Sequence, residues 1–164
     1  HSENLLQHRE YCLAGIESGL NPSNSHADVV AQQMVGVFRS KTPPVFIPIE
    51  LIRQCFSIFE SDSENKSKNI FGIDEWLNAI SLLDPEQALA VAEIYLAYIS
   101  RTKSHLYDYQ NNLTQLLTRL FAEAEEREES DQGEMLHRVV AVQDSLLSLG
   151  VDGVNEWLKV AERP

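Results

Sequence analysis

A short segment that occurs twice in this chain constrains its fold more than any other feature. Gly-Ile-Asp-Glu-Trp-Leu at Gly72–Leu77 returns 81 positions later as Gly-Val-Asn-Glu-Trp-Leu at Gly153–Leu158. The two copies contain both tryptophans of the chain, Trp76 and Trp157. Half of this offset is close to the roughly 40–47 residues of one unit in several helical repeats. We therefore predict a helical repeat in which the two indoles are buried at equivalent places in two helical hairpins.

The remaining apolar residues also follow helical spacing, and no alternating run is long enough to form a sheet. The pattern predicts eight helices, joined by mostly short links that favour antiparallel hairpins. Seven approximate spans are 3–18, 25–40, 48–60, 85–100, 104–129, 131–149 and 153–163, and the fourth helix opens at Gly72 and has Ile80 as its last inward residue. The predicted fold class is all-α, one domain over residues 1–164, arranged as a HEAT-like stack of hairpins or as an irregular bundle.

Capping residues define the ends of several of these helices. Asp84-Pro85 with Gln87 has the features of a helix start, an acid followed by proline at the first helical position. Asp131 and Glu134 have the spacing of a capping box, and Gly150 predicts the end of the same helix. The inward residues of the helix that ends at Gly150 are predicted to include Val139, Val140 and Leu146. Earlier in the chain, Val45–Ile47 is predicted to be an apolar linker that lies on the core.

The charge of the chain excludes several classes of partner. Its net charge is −12, whereas nucleic acids and anionic membranes are bound by surfaces rich in lysine and arginine. No apolar run approaches the roughly 20 residues of a membrane span. The polar start without an initiator methionine indicates a fragment of a longer protein. Cys12 and Cys55 lie on apolar stripes, which predicts buried free thiols and a cytoplasmic protein.

A catalytic or metal-binding pattern is not found in the sequence. No two of the five histidines have metal-ligand spacing, and no Cys-x-x-Cys pair, glycine-rich phosphate loop or Gly-x-Ser-x-Gly elbow occurs. The histidines are His1, His8, His26, His105 and His137. We therefore expect no catalytic residue, no cofactor and no metal. A small helical enzyme or regulator, with a site formed by residues distant in sequence, stays open as the alternative.

Acidic residues are concentrated between the sixth and seventh predicted helices. Seven of the twelve residues from 123 to 134 are acidic, and Arg127 is the basic residue among them. These acids are Glu123, Glu125, Glu126, Glu128, Glu129, Asp131 and Glu134. Two interpretations follow: a solvated helical corner, or a docking point for a protein partner with a basic surface.

Four tyrosines flank the predicted turn between the fifth and sixth helices: Tyr95, Tyr98, Tyr107 and Tyr109. Such residues either fill the edge of a core or, when exposed, anchor a partner. We take Tyr95, Tyr98 and Tyr107, with the glutamates of the acidic segment, as the candidate partner-binding residues.

The C-terminal part of the chain resembles a known group of proteins. The residues that carry the resemblance are Leu-Leu-Asp-Pro-Glu-Gln-Ala-Leu at Leu82–Leu89 and the closing segment Asp144–Glu156. Over roughly residues 45–164 they are similar to the C-terminal helical-repeat regions of large bacterial multidomain NTPases, including those of anti-phage defence. The resemblance implies a sensor or scaffold role, with the nucleotide chemistry in a separate domain. No Walker-type motif or catalytic residue of those NTPases occurs in this chain.

These observations together predict a non-enzymatic protein-interaction or sensor module of a larger bacterial protein. The predicted partner is a protein with a basic surface, and neither nucleic acid nor membrane is expected to bind directly. The sequence makes no prediction of the oligomeric state.

Overall fold

A computed structural model of the chain describes residues 36, 38, 46–61, 72–151 and 154. The chain divides into two compact units, His1–Trp76 and Leu77–Pro164. Every regular element in the described residues is helical, which confirms the all-α prediction for that part of the chain. The predicted helices at 3–18, 25–40 and 153–163 lie outside the described residues, apart from Gly36, Phe38 and Val154, which are helical. The single repeat domain over 1–164 stays a prediction.

Five α-helices and one 3₁₀ turn lie between residues 46 and 151. They are α1 (Ile49–Ser61), α2 (Ile73–Ser81), α3 (Pro85–Thr102), the 3₁₀ turn Tyr109–Asn111, α4 (Asn112–Glu126) and α5 (Glu129–Ser148). Three predicted starts agree with the structure to within one residue, those of α1, α2 and α3.

In the first unit, α1 begins directly after Pro48, whose carbonyl oxygen accepts the backbone N–H groups of Leu51 and Ile52 at 3.0 and 3.2 Å. The apolar stripe of α1 is buried, including the free thiol of Cys55. Ile47 is fully buried, whereas its neighbour Phe46 is 49% exposed. The predicted apolar linker therefore contributes one of these two side chains to the core.

The first copy of the repeated segment forms α2, and its predicted inward face is confirmed. Ile73 and Trp76, as well as Leu77 and Ile80 further along the helix, are almost completely buried. The indole of Trp76 lies edge-to-face against Phe38, with ring centroids 5.2 Å apart, an arrangement favoured by the charge distribution of aromatic rings. Trp157 lies outside the described residues, so the equivalence of the two tryptophans stays a prediction.

In the second unit, α3, α4 and α5 pack against one another. Arg127 at the end of α4 contacts Glu86 at the start of α3, and Arg138 of α5 contacts Glu93 of α3. These pairs show that α3 and α5 run parallel, with α4 antiparallel to both. The shared core consists mainly of leucine, alanine and valine: Ala88, Leu89, Ala92, Leu96, Leu113, Leu116, Leu117, Leu120, Ala124, Val139, Val142 and Leu146.

The prediction that one helix spans residues 104–129 is wrong at its start. Residue Lys103 adopts a left-handed conformation with φ 52° and ends α3, and a non-helical segment follows it. Gln110 and Asn111 also have positive φ, 55° and 59°. Consecutive left-handed residues cannot continue a right-handed helix, so α4 begins only at Asn112.

The start predicted for α5 at Asp131, with a capping box to Glu134, is also wrong. The helix begins at Glu129, because the backbone N–H groups of Asp131 and Gln132 already donate to the carbonyl oxygen of Glu128. Its predicted end is confirmed. Gly150 has φ 73°, and its N–H donates to the carbonyl of Leu147, as glycines that terminate helices commonly do.

One inward residue predicted for α5 is wrong. Val140 is 39% exposed, and the buried valines of this helix are Val139 and Val142. Residues 139 and 142 are three apart and share a helical face, whereas residue 140 is rotated away from it.

Candidate functional site

The acidic residues singled out in the sequence lie at one end of the α3–α5 bundle. We call residues Glu123–Glu134 the acidic corner. Only Arg127 and Glu128 separate α4 from α5, and the N–H of Arg127 donates to the carbonyl of Ala124. The tight connection brings acids from the last turn of one helix and the first turn of the next close together.

Arg127 is the basic residue inside the acidic corner, and two glutamates share it. Its guanidinium lies 2.5 Å from a carboxylate oxygen of Glu86 and 3.7 Å from one of Glu123. Its side chain is only 25% exposed, so these contacts are better shielded from water than most surface pairs. Arg127 therefore compensates part of the negative charge of the acidic corner, and it links the end of α4 to the first turn of α3.

Arg138 forms the second ion pair of this region. Its Nε donates to both carboxylate oxygens of Glu93, at 3.2 and 3.3 Å, and its Nη2 donates to one of them. The hydrogen bond that Arg138 donates to Glu93 raises the pKa of Arg138, with a smaller contribution from the charge of Glu134. Glu134 is therefore partly compensated by a cation of its own helix.

Four glutamates of the acidic corner have no such compensation. Glu125, Glu126, Glu128 and Glu129 are exposed, and none forms an ion pair within the part of the chain that the structure describes. Glu125 and Glu126 end α4, a helix with no basic residue in its last turn. Carboxylates there oppose the helix dipole, whereas those at the start of α5 are favoured by it.

The structure separates the three tyrosines that we predicted to contact a partner. Tyr95 and Tyr98 are only 3% and 2% exposed, because they lie on the inward face of α3. They belong to the core, and this part of the predicted partner surface is corrected. Tyr107 is 60% exposed. The side chain of Tyr109 lies outside the described residues.

Tyr107 belongs to a segment that we call the 103–108 loop, which joins α3 to the 3₁₀ turn. Lys103 and His105 are exposed like Tyr107, whereas Leu106 is buried. The helix predicted from Ser104 would have covered most of this loop, and helical spacing does not predict the exposure of alternate side chains.

Asp108 ends the loop and caps α4. Its carboxylate accepts the backbone N–H groups of Leu113 and Thr114 at 2.7 and 3.1 Å, and the hydroxyl of Thr114 at 2.6 Å. The formal N-cap residue, Asn111, makes no side-chain capping bond. Asp108 therefore satisfies the N–H groups that a helix start leaves without partners.

A polar cluster joins the end of α2 to α4, and the sequence did not predict it. Nη1 of Arg119 donates to the carbonyl and the side-chain oxygen of Asn78 and to the hydroxyl of Ser81, at 2.6–2.7 Å. Asn78 in turn donates to Gln115 at 2.9 Å. Arg119 places a cation at a helix C-terminus, which is favourable. The residues are about 40 positions apart, so no local pattern reveals the cluster.

The described surface also contains a shallow groove of about 240 Å³ between α3 and α5. Small or apolar residues form most of its lining: Leu96, Ala97, Ser100, Ala141, Val142 and Ser145, with Glu93 at one side. Its only charged residue, Glu93, is already bound to Arg138. The groove therefore lacks the convergent titratable groups of a catalytic cleft.

The thiol of Cys55 is poorly suited to nucleophilic chemistry. Burial raises its pKa from the ordinary value of 9.0 to about 12, and the thiolate is the reactive form. Within the described ranges, no group of three His, Cys, Asp or Glu side chains is arranged to hold a metal ion. No helix among the described residues is long and apolar enough to cross a membrane.

Comparisons with protein-family models, with curated proteins and with solved structures each give no match. The resemblance to the helical-repeat regions of bacterial NTPases therefore stays a prediction.

Proposed function

We propose that this chain is a non-enzymatic protein-interaction module whose acidic corner binds a basic surface of a protein partner. The observation that carries the proposal is the set of four exposed glutamates, 125, 126, 128 and 129, without an ion-pair partner among the described residues. A surface of this kind attracts cations and repels nucleic acid phosphates.

The position of these charges supports a role other than stability. Lysine or arginine in the last turn of α4 would be favourable by about 0.3–1 kcal/mol each, whereas carboxylates there are unfavourable. Glu125 and Glu126 nevertheless occupy this turn. Residues that lower stability without a compensating contact are typical of functional sites. A basic partner would supply the missing cations.

We further propose that the chain is a HEAT-like repeat module, a sensor or scaffold of a larger cytoplasmic bacterial protein, of the kind found in anti-phage NTPases. One pair of positions supports the repeat. Ile73 and Val154, related by the 81-residue offset, are both helical and at most 1% exposed. Superposition of the two hairpins in an experimental structure tests the repeat; different surroundings for Trp76 and Trp157 would contradict it.

A selected-peptide experiment tests the proposed binding. A displayed library of lysine- and arginine-rich peptides is selected against the 164-residue chain, and the affinity of the selected peptides is measured at low and at physiological salt. We expect binding that weakens at least tenfold in the variant E125Q/E126Q and that falls as salt rises. This variant removes charges that oppose the dipole, so its folded state is not weakened and lost binding cannot be attributed to unfolding.

The matched control neutralises two exposed acids outside the corner, Glu75→Gln and Asp144→Asn, and should bind peptides like the unmodified chain. Equal loss of affinity in both double variants would show a general charge effect and remove the corner from the proposal. Tight binding of duplex DNA at physiological salt would overturn the partner class.

A further inference from the structure

The connection from α3 to α4 holds the chain in a turn that its sequence does not favour. We propose that two copies of the chain exchange α4 and α5 through this connection. In the exchanged dimer, residues 103–111, which we call the hinge segment, become helical and join α3 and α4 into one long helix. The partner is a second copy of this chain, and the inference does not depend on the acidic corner.

The hinge segment lacks the two residue types that most strongly interrupt helices. Neither glycine nor proline occurs between Glu86 and Gln132, although the chain reverses its direction twice in this range. Most turns use one of these residues, because glycine adopts positive φ without strain and proline cannot continue a helix. A helix could therefore run through the hinge segment without meeting either.

The apolar pattern of α3 continues through the hinge segment into α4 without a change of phase. From Ala92 to Leu120, apolar residues and one threonine recur at steps of alternately three and four positions. They are Ala92, Tyr95, Ile99, Thr102, Leu106, Tyr109, Leu113, Leu116 and Leu120. This spacing is typical of one face of a long continuous helix that packs against another helix. One helix from Pro85 to Glu126 would keep these residues on a single stripe.

Three residues of the hinge segment interrupt this pattern in the monomer. Lys103, Gln110 and Asn111 have φ of 52°, 55° and 59°, which is the left-handed region that side chains disfavour. Conversion of the hinge segment to a right-handed helix would relieve the strain at all three positions. Strained hinges favour the exchange of identical elements between copies of a chain.

Asp108 opposes this conversion. Its carboxylate accepts the N–H groups of Leu113 and Thr114 and the hydroxyl of Thr114, and these bonds require the turn. In a continuous helix the two N–H groups would donate instead to the carbonyls four residues earlier, those of Tyr109 and Gln110. Asp108 therefore stabilises the turned monomer, and the three left-handed residues destabilise it.

An exchanged dimer reproduces the helix contacts of the monomer. Because α4 is antiparallel to α3, two long helices related by a two-fold axis place α4 of one copy against α3 of the other. The ion pairs Arg127–Glu86 and Arg138–Glu93 and the hydrogen bonds from Arg119 to α2 then form between copies. Only the hinge segment changes conformation, and the main cost is the entropy of association.

Two variants of the hinge segment with opposite expected effects test the proposal. Asp108→Ala removes the bonds that hold the turn, whereas Q110G/N111G relieves its strain and disfavours a helix. Each 164-residue variant is unfolded in urea, refolded at high protein concentration and analysed by size-exclusion chromatography with light scattering. Relative to the unmodified chain, we expect the dimer-to-monomer ratio to rise about fivefold or more for Asp108→Ala and to fall similarly for Q110G/N111G. The combined variant D108A/Q110G/N111G should return towards the monomer.

Gly150→Ala is the control for a general loss of stability. Gly150 has φ 73° and lies after α5, so its surroundings are the same in the monomer and in the exchanged dimer. This substitution should destabilise both forms equally and leave the dimer-to-monomer ratio unchanged.

A pair of charge reversals distinguishes exchange from side-by-side association. The variants E93R and R138E each place like charges at the contact between α3 and α5, in the monomer and in a dimer of one variant alone. In an exchanged dimer that contains both variants, each of the two contacts joins opposite charges, since α3 of one copy packs against α5 of the other. Refolding an equimolar mixture should therefore give mixed dimers in excess of either homodimer, as measured by native mass spectrometry. Side-by-side association would leave the like charges within each copy and give no excess.

Four results would overturn the inference. They are variants that all stay monomeric at millimolar concentration, equal dimer-to-monomer ratios for Asp108→Ala and Q110G/N111G, a ratio for Gly150→Ala that rises as much as that for Asp108→Ala, and mixed dimers at no more than their statistical share. None of these results bears on the peptide binding proposed for the acidic corner.

Discussion

The two connections of the α3–α5 bundle reverse the chain by different physical means. The connection from α3 to α4 is held by Lys103 in a left-handed conformation, by buried Leu106 and by the three bonds of Asp108. The connection from α4 to α5 has two residues, and Glu128 before the start of α5 makes no side-chain capping bond. Four exposed glutamates lie in this connection or directly beside it. The first connection is held by packing and hydrogen bonds, whereas the second has two carboxylates beside it, Glu125 and Glu126, that oppose the dipole of α4.

This difference separates structural from functional residues within one short unit. Removing the carboxylate of Asp108 from the 103–108 loop should weaken the fold, whereas neutralising Glu125 and Glu126 at the end of α4 should strengthen it. The following experiments test this contrast, beginning with the largest expected change in the free energy of unfolding.

Asp108→Ala removes three hydrogen bonds and leaves two backbone N–H groups of α4 without their acceptor. We expect it to lower the free energy of unfolding by about 2 kcal/mol, as measured by urea titration followed by circular dichroism. The matched change at the other connection is Glu128→Ala, which replaces an N-cap residue that makes no side-chain bond. It should change stability by less than about 0.5 kcal/mol. Equal losses in the two variants would contradict the contrast.

Arg127→Gln removes the cation that Glu86 and Glu123 share. We expect a loss of about 1 kcal/mol at low salt, since the pair is partly shielded from water and the corner gains net negative charge. The loss should shrink as salt rises. Arg53 is the control, because its 3.7 Å contact with Glu50 is highly exposed; Arg53→Gln should leave the unfolding curve unchanged. A salt-independent loss at Arg127 would show that packing rather than charge is responsible.

Lys103 and Gly150 both have a left-handed backbone conformation, with φ 52° and 73°. This conformation is strained for lysine and unstrained for glycine. Gly150→Ala should destabilise the chain by about 1 kcal/mol, and Lys103→Gly should stabilise it by about 0.5 kcal/mol. A Cβ at Gly150 meets no atom within 4 Å, so its effect reports backbone conformation alone. Thermal unfolding measures both. Destabilisation by Lys103→Gly would mean that the lysine side chain stabilises the end of α3 more than its backbone strain costs.

The smallest expected change in the free energy of unfolding has opposite signs at Glu126 and Glu128, which are only two residues apart. Glu125→Gln with Glu126→Gln should raise the free energy of unfolding by about 0.5 kcal/mol, because both charges oppose the dipole of α4. Glu128→Gln with Glu129→Gln should lower it by a similar amount, because these charges favour the start of α5. Chemical denaturation with urea at two salt concentrations measures the two changes, and both should fade with added salt. The same sign in both pairs would indicate that mutual repulsion, rather than the dipoles, dominates the corner.

The sequence predicted best those features that depend on neighbours within one helical turn. The start of α3 is an example, since the carboxylate of Asp84 accepts the N–H of Gln87 only three residues away. The buried face of α2 followed from the spacing of its apolar residues. The end of α5 at Gly150 followed from the ease with which glycine adopts positive φ.

The error at the start of the predicted helix 104–129 comes from residues whose backbone conformation or capping distance differs from the usual one. Lys103, Gln110 and Asn111 adopt left-handed conformations that side chains normally disfavour, and the helical pattern around them gave no warning. Asp108 lies five residues before the first N–H that it caps, outside the spacing of an ordinary N-cap. The predicted helix was therefore eight residues too long at its start.

The candidate site was likewise predicted from the sequence only in part. The sequence alone determined an acidic, helical chain with its charge concentrated at Glu123–Glu134, because composition and helical period are properties of neighbouring residues. Only the tertiary structure decided that Arg127 is shared with Glu86, that Tyr95 and Tyr98 are buried, and that Tyr107 is exposed at the other end of the bundle. The physical reason is that partners and burial depend on which helices lie side by side, and residues about 40 positions apart leave no periodic signal of their contact.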